Sequence, residues 1–355
     1  MKKILLPKAD GEKTYYKANL HCHSTFSDGT KTPQEIKDFY MAHGYSVVAY
    51  TDHNVYICHD ELTDENFVTM HGVEIDAFDN KHEPVTHICL VSLDKNNKIA
   101  PCWNRNSWNS NKYFNGNNQK YTNMVQFDPN KPDFQRNYSP ECVNKIIKEG
   151  KDNNFFVTYN HPQWSLEGYE QYMQYNNMDA IEITNYSSVL GGYDEYNGHC
   201  YDDMLRGGKR LYCIATDDNH NAYPDDSENS DSFGGYVMIA AEKLTYDSIA
   251  AALKNGNFYS VSASNTNRGP EIKSLIFEDG KISIETSAVK RISMITNFRV
   301  NQAQNAKDDS FVYEAEFKIS GFELSERIKW FRIEATDERG FKAYTNAYFT
   351  DELKY

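Results

Sequence analysis

The chain has 355 residues and a formal net charge of -14. That length suits one large domain, or a large one with a small companion, and the acidity argues against nucleic acid or an anionic membrane as a partner. No apolar run approaches the ~20 residues of a membrane span. The seven cysteines, odd in number and without repeated spacing, read as reduced thiols of a cytoplasmic protein.

Met1-Lys2-Lys3-Ile4-Leu5-Leu6-Pro7 opens like an export signal, but its apolar part stops after three residues, too short for an h-region. Tyr15 to Leu20 reads as a strand running into Leu20-His21-Cys22-His23-Ser24-Thr25-Phe26-Ser27-Asp28-Gly29. In extended chain alternate side chains share a face, so His21 and His23 point one way and Cys22 the other. Asp28 follows one short loop later. Thr32-Pro33-Gln34-Glu35 starts a helix, with Thr32 as N-cap, Pro33 at the first helical position and Glu35 at capping-box spacing. Ile36, Phe39 and Tyr40 form its apolar stripe and Gly44 ends it. Ser46 to Thr51 is a nearly continuous apolar run, hence a buried strand, and it ends in Asp52-His53. Strand, helix, strand favours a parallel sheet.

Phe67 to Ile75, which contains Glu74, and Val85 to Val91, which contains His87, are the next strands. From 94 to 137 the chain is polar, rich in Asn, Lys and Tyr, and reads as an insertion that either covers substrate or forms a mobile surface excursion; Trp103 and Trp108 are read as a local apolar plug in preference to a stacking surface for a base or sugar. Ser139-Pro140-Glu141 caps a helix with the stripe Val143, Ile146 and Ile147. Phe155 to Tyr159 is a strand running into Asn160-His161-Pro162, and Met178 to Thr184 is another, ending Glu182-Ile183-Thr184-Asn185. A helix is expected from Asp194 to Leu205, a strand from Leu211 to Thr216 ending Asp217-Asp218-Asn219-His220, a strand from Gly235 to Ala240, and a helix from Thr245 to Lys254. After Gly269 the pattern changes to alternation: 273–277, 281–286, 292–296, 311–319 and 328–336 read as antiparallel strands, with turns at Asp279-Gly280 and Arg339-Gly340. The expected division is 1–267 for the α/β unit and 268–355 for an all-β module that contains no histidine.

Nine polar residues fall at or near strand ends: His21, His23, Asp28, His53, Glu74, His87, His161, Asp218 and His220. They use six of the chain's eleven histidines. Imidazoles with carboxylates are donors for divalent transition metals, and a parallel α/β barrel gathers its strand ends on one rim. One arrangement would therefore bring all nine together.

The ordered set His-x-His, Ser-Asp-Gly, Thr-Asp-His, a strand-end Glu, Val-x-His-Ile, Asn-His-Pro and Asp-x-His resembles the PHP (polymerase and histidinol phosphatase) family of metal-dependent phosphoesterases. The resemblance covers about residues 15 to 265. It implies a distorted (β/α)7 barrel, here followed by a small antiparallel β-sandwich-like domain, and two to three divalent ions of zinc, manganese or iron. It implies one ion on His21, His23, Glu74 and Asp218; a second on Glu74, His87 and His161, with Glu74 bridging; and a third on Asp28, His53 and His220. His87 is preferred to His82, which lies in a charged loop, and Asp218 to Asp217, which strand alternation turns away from His220. Some relatives carry histidine where this chain has Asp28, and an oxygen donor there is harder and more exchangeable.

The expected activity is hydrolysis of a small-molecule phosphate ester by a metal-bridging hydroxide at a trinuclear site, with Glu74, Asp218 and His220 as catalytic residues. Three divalent ions less three carboxylates would leave a local charge of roughly +3 in an acidic protein, suited to a phosphate dianion. Relatives with a similar appended module include hydrolases of carboxylic or carbamate esters, which is the alternative; a non-catalytic metal-binding module is a third reading. Asp52 is expected to orient His53 or a neighbouring ligand. Arg105, His199, Arg206 and Lys209 are the candidates for holding phosphate or protonating the leaving group. His43, His59 and His71 are read as structural or exposed.

Overall fold

The computed structural model describes residues 3–5, 14–105, 124–319 and 327–353. Trp108 and the middle of the polar insertion lie outside the described residues. The strands of the first part are β1 (Lys3–Leu5), β2 (Thr14–Asn19), β3 (Val47–Tyr50), β4 (Val68–Ala77), β5 (Thr86–Ser92), β6 (Phe155–Tyr159), β7 (Ala180–Asn185), β8 (Tyr212–Thr216), β9 (Gly235–Ala241) and β10 (Phe258–Ser262). Those of the second are β11 (Ile272–Glu278), β12 (Lys281–Val289), β13 (Arg291–Thr296), β14 (Gln302–Asn305), β15 (Val312–Lys318), β16 (Trp330–Thr336), β17 (Lys342–Thr345) and β18 (Tyr348–Phe349). The helices are α1 (Pro33–Ala42), α2 (Pro140–Asp152), α3 (Tyr169–Tyr172), α4 (Tyr186–Leu190), α5 (Gly198–Arg206) and α6 (Tyr246–Lys254).

Local chemistry sets the helix starts. Thr32 accepts from the Glu35 amide while the Glu35 carboxylate bonds back to the Thr32 amide, a complete capping box. Ser139 and Thr245 cap α2 and α6 through the amides of Cys142 and Ser248. The helix expected from Asp194 instead begins at Gly198. The preceding residues are held extended against β7: Tyr196 bridges Thr184, and the Asn197 amide donates to the Ile183 carbonyl at 2.8 Å. Tertiary pairing overrides the helical pattern there.

A long sheet runs in the order β14-β13-β16-β17-β10-β9-β2-β3-β4-β5-β6-β7-β8, with β18 beside β16. The pairs β2/β3, β3/β4, β6/β7 and β7/β8 are parallel. The pairs β4/β5 and β5/β6 are antiparallel, so the expected run of parallel strands is broken at β5. Curling brings one face of β2 to β10 together: Ala18, Val47, Met70, Val91, Phe156, Ala180, Ile214, Val237 and Phe258 share one apolar cluster, closed by Ile249 and Leu253 of α6. A second cluster packs α2 and α5 against the outer face of β4 to β8. The flanks of the polar insertion join it through Ala100, Cys102 and Val125, with Trp103 stacked on Phe127 at 5.9 Å.

In the second part β1, β11, β12 and β15 form a four-stranded sheet. It faces the long sheet across Ile282, Ile284, Phe317, Ile292, Met294 and Ile333. The expected β11–β12 turn is present, with Asp279 and Gly280 both at positive φ. The long sheet continues through β10, which pairs with β9 on one side and β17 on the other. Buried Arg332 of β16 also reaches Asp202 of α5 at 2.7 Å. All seven cysteines are free, and no described helix is long and apolar enough to cross a membrane.

Close approach of β9 to the end of β8 depends on Gly235, where a Cβ would lie 2.0 Å from the Thr216 carbonyl oxygen. Gly235→Ala should therefore cost about 1–3 kcal/mol, as overpacking does. Urea denaturation should show the midpoint falling, and an unchanged midpoint would mean that the two strands part freely.

Candidate metal centre

Each strand from β2 to β8 except β7 delivers at least one clustered polar side chain to the same end of the curled sheet. His21 and His23 follow β2, His53 follows β3, Glu74 lies in β4, His161 follows β6, and Asp218 and His220 follow β8. His87 is near the start of β5, not its end. Because β5 runs antiparallel, its start lies beside the end of β4, with His87 opposite Asp76.

Glu74 is the centre of the set. Its Oε1 lies 3.2 Å from His21 Nε2, 3.0 Å from His87 Nδ1 and 3.3 Å from His161 Nε2. Its Oε2 lies 3.3 Å from His23 Nε2 and 3.1 Å from His53 Nδ1. Asp218 Oδ1 is 3.1 Å from His21 Nε2 and 3.0 Å from His23 Nε2. Asp28 Oδ2 is 3.5 Å from His220 Nε2 and 3.7 Å from His53 Nε2. The donors fall into three overlapping groups: His21, His23, Glu74 and Asp218; His53, Glu74 and His87; and His23, Asp28, His53 and His220. His53 thus turns one nitrogen to Glu74 and the other to Asp28, and His161 meets the Glu74 oxygen that also faces His87.

The donor set fits divalent cations. Glu74 Oε2 and Asp218 Oδ1 are buried and make no hydrogen bond among the described residues. His21 Nδ1 lies 2.7 Å from Glu182 Oε1; donating its proton there leaves Nε2 as a bare lone pair, 3.1 Å from His23 Nε2. Lone pairs and carboxylate oxygens converging in a dry space repel unless a cation or protons lie among them.

Without metal, protons take that role. Burial works against a charged ring at His21 and His23, but the surrounding carboxylates, Asp218 and Glu74 among them, raise both well above the ordinary range. The same balance pushes His161 up to about 9. His53 goes the other way, down to about 3, because burial outweighs Asp28. Burial would raise Asp28, Glu74 and Asp218, yet the imidazoles hold all three below the usual carboxylate range.

Two alternatives in the sequence resolve geometrically. His82 is half exposed and bonded to Asp79, whereas His87 is in the cluster. Asp217 is buried but accepts from Tyr40 Oη and from the amides of Phe233 and Gly235. Asp52 accepts from Ser24 and Ser27. It thereby fastens the loop between His23 and Asp28.

None of the four expected anion-holding residues lines the cavity over the cluster. Arg105 pairs with Asp133, and His199 is exposed on α5. Arg206 pairs with Asp202 and Asp203, and Lys209 donates to the Tyr175 carbonyl. Arg206 and Lys209 precede β8 and so lie at the opposite end of the strands from the clustered donors.

Sequence reasoning missed Glu182, Asn160 and Arg136. Asn160 Nδ2 donates to Glu74 Oε1 at 2.9 Å. Arg136, from the polar insertion, pairs with Asp76 and Asn54 beside the cluster. Asn160 and Glu182 both close apolar runs, the signal that found the ligands; Arg136 carried no such signal. His161 and Asp218 hold positive φ values of +25° and +53°, with their amides anchored on Glu182 Oε2 and the His21 carbonyl. Backbone strain of this kind persists where surrounding contacts over-determine it.

The cavity above the cluster has a volume of about 680 Å3. His53, Glu74, His87, His161, Asp218 and His220 form its floor side, with Asp76, Asp79, Glu83, Trp164 and Tyr193 around them. Among the described residues no Lys or Arg lines it.

No family model matches the chain, and no curated protein matches it. Among solved structures, a two-domain protein from Bacteroides vulgatus, named as containing a predicted PHP-like metal-dependent phosphoesterase, is similar at 16% identity. The match covers 94% of this chain and 95% of that one, with a TM-score of 0.45. A protein from Bifidobacterium adolescentis, named as a candidate metal-dependent phosphoesterase, is 18% identical over 57% of this chain and 87% of that one, with a TM-score of 0.37. An amidohydrolase from Chromobacterium violaceum, with bound sulfate and no metal, is 17% identical over the same shares, with a TM-score of 0.37.

Metal uptake should release protons. Below about pH 9 the His161 ring is protonated, so a cation must displace that proton, and apparent affinity should rise from pH 6 to about 9 and then level. Titration calorimetry in buffers of different ionisation enthalpy should report proton release on metal uptake at pH 7. Affinity that is flat across that range would contradict the assignment of charge.

Proposed function

We propose that the protein is a metal-dependent hydrolase acting on a phosphate ester of a small molecule, with two to three divalent ions of zinc, manganese or iron. The supporting observation is the convergence of three carboxylates and six imidazoles, with the carboxylates and His53, His87, His161 and His220 lining one cavity and Glu74 Oε2 and Asp218 Oδ1 making no hydrogen bond among the described residues. In this reading His21, His23, Glu74 and Asp218 hold one ion, Glu74, His87 and His161 a second, and Asp28, His53 and His220 a third. Bound ions would supply Lewis acidity and lower the pKa of a water.

The chain's own part is orientation. Glu74 turns its two oxygens to two different sets of imidazoles, so it holds both in one frame. Asn160 steadies the first oxygen. His220 is the most exposed ring of the set at 27% and faces the space a substrate enters. Trp164 packs edge-on against His161 at 4.8 Å and forms a wall that limits water beside it. We read the curled β2–β10 sheet as a distorted (β/α)7 barrel over 1–267, with 268–355 as an all-β sandwich-like module.

One observation favours a second reading. With Asp76, Asp79 and Glu83 at the cavity and no Lys or Arg among its described lining, attraction for an anion would rest on the metal ions alone. A carboxylic or carbamate ester needs no such attraction.

A panel of nitrophenyl phosphate, acetate and carbamate, with zinc or manganese added, separates the two readings; phosphate should be the best substrate. Chelation should abolish turnover, and Glu74→Ala should reduce it on the order of 10³-fold or more, as expected when several kcal/mol of charge stabilisation is lost. Turnover that survives either change would contradict the proposed hydrolase.

A further inference from the structure

Glu182 lies in β7, the one strand between β2 and β8 that supplies none of the nine clustered donors, and it is fully buried. Its Oε1 is met by His21 Nδ1 at 2.7 Å and Thr216 Oγ1 at 2.6 Å. Its Oε2 is met by the His161 amide and Asn185 Nδ2, both at 2.9 Å. An ionised carboxylate offers about four acceptor positions, and four donors occupy them. Glu182 therefore has no lone pair left for a cation, although it lies directly behind the ligands.

Those four bonds reach three proposed ligands. The contact to His21 makes Nδ1 the donor and so fixes the tautomer whose Nε2 lone pair faces Glu74 and Asp218. The amide bond holds His161 in its positive-φ conformation. Asn185 uses the same side-chain nitrogen to reach Asp218 Oδ2 at 3.1 Å. The backbone is shaped for this: the β7/β8 register shifts between Glu182 and Thr184, a local bulge of the kind that re-aims side chains. Asn197 takes up the carbonyls of Glu182 and Ile183 at that point.

We infer that Glu182 is a positioning residue that sets the His21 tautomer and the orientations of His161 and Asp218 for metal binding. The inference rests on the metal reading proposed above. Glu182→Gln keeps the volume but puts an amide donor at one of the two oxygens, against either His21 Nδ1 and Thr216 Oγ1 or the His161 amide and Asn185 Nδ2, which now find an acceptor there. Metal affinity, measured by chelator competition, should fall about 10–100-fold, and the absorption spectrum of the cobalt-substituted protein should shift. Glu182→Asp should recover part of the affinity.

Thr216→Val, which leaves three of the four donors in place, should stay within a few-fold of wild type. Wild type that takes up no divalent ion would overturn the metal reading and this inference together. Wild type that binds, with Glu182→Gln unchanged in affinity and cobalt spectrum, would overturn this inference alone. Should Glu182→Gln not fold, long-range ¹⁵N spectra of the zinc-loaded wild type decide the point. A proton on His21 Nδ1 supports the inference, and a bare or metal-bound Nδ1 overturns it.

Discussion

A fully buried carboxylate must be compensated, and Glu74 is compensated by imidazoles on both of its oxygens. His21, His87 and His161 meet one, and His23 and His53 the other. Removing one partner of a buried ion pair typically costs 3–5 kcal/mol, so this residue and its neighbours are mutually dependent. The clustered donors come from positions as far apart as 21 and 218, and the curled sheet brings such distant segments to one end of its strands. The curl of β2 to β10 around Ala18, Val47, Met70 and Ile214 is therefore as much a part of the centre as the donors themselves.

The surrounding shell extends the same logic outward. Asp52 fixes the loop between His23 and Asp28 through Ser24 and Ser27. Asn160 and Asn185 connect Glu74, Glu182 and Asp218. Each buried acid thus has several donors, which is how a low-dielectric interior tolerates a cluster of charge. Asp217 shows the contrast: burial pushes its carboxyl up to about 7, against its bonds to Phe233, Gly235 and Tyr40. It faces the apolar side of the strand end, while Asp218 faces the donors.

Much of this was legible in the sequence because two simple signals coincided. Caps at Thr32 and Ser139 located two helices, and short apolar runs located the strands. The polar residues that followed those runs then marked one end of the sheet. What was not legible depended on pairing partners. The direction of β5 follows from its neighbours, so His87 reaches the cluster from a strand start. The segment before α5 reads as helix but is held extended by β7. β10, β14, β17 and β18 are short and were not foreseen, since their pairing partners decide them. Glu182 closed an apolar run in plain view, yet its role depends on a bulge that no local pattern announces. The expected anion-holding residues lie away from the cavity lining for a related reason: basic side chains near a site in sequence need not lie at the same end of the strands.

Anomalous diffraction from crystals grown with manganese or zinc tests the central claim most directly. The account requires anomalous peaks between Glu74 and its imidazoles, with His21, His23 and Asp218 bound to one of the ions. Crystals in which that space holds no anomalous scatterer, or in which the ions bind only elsewhere on the chain, would contradict it.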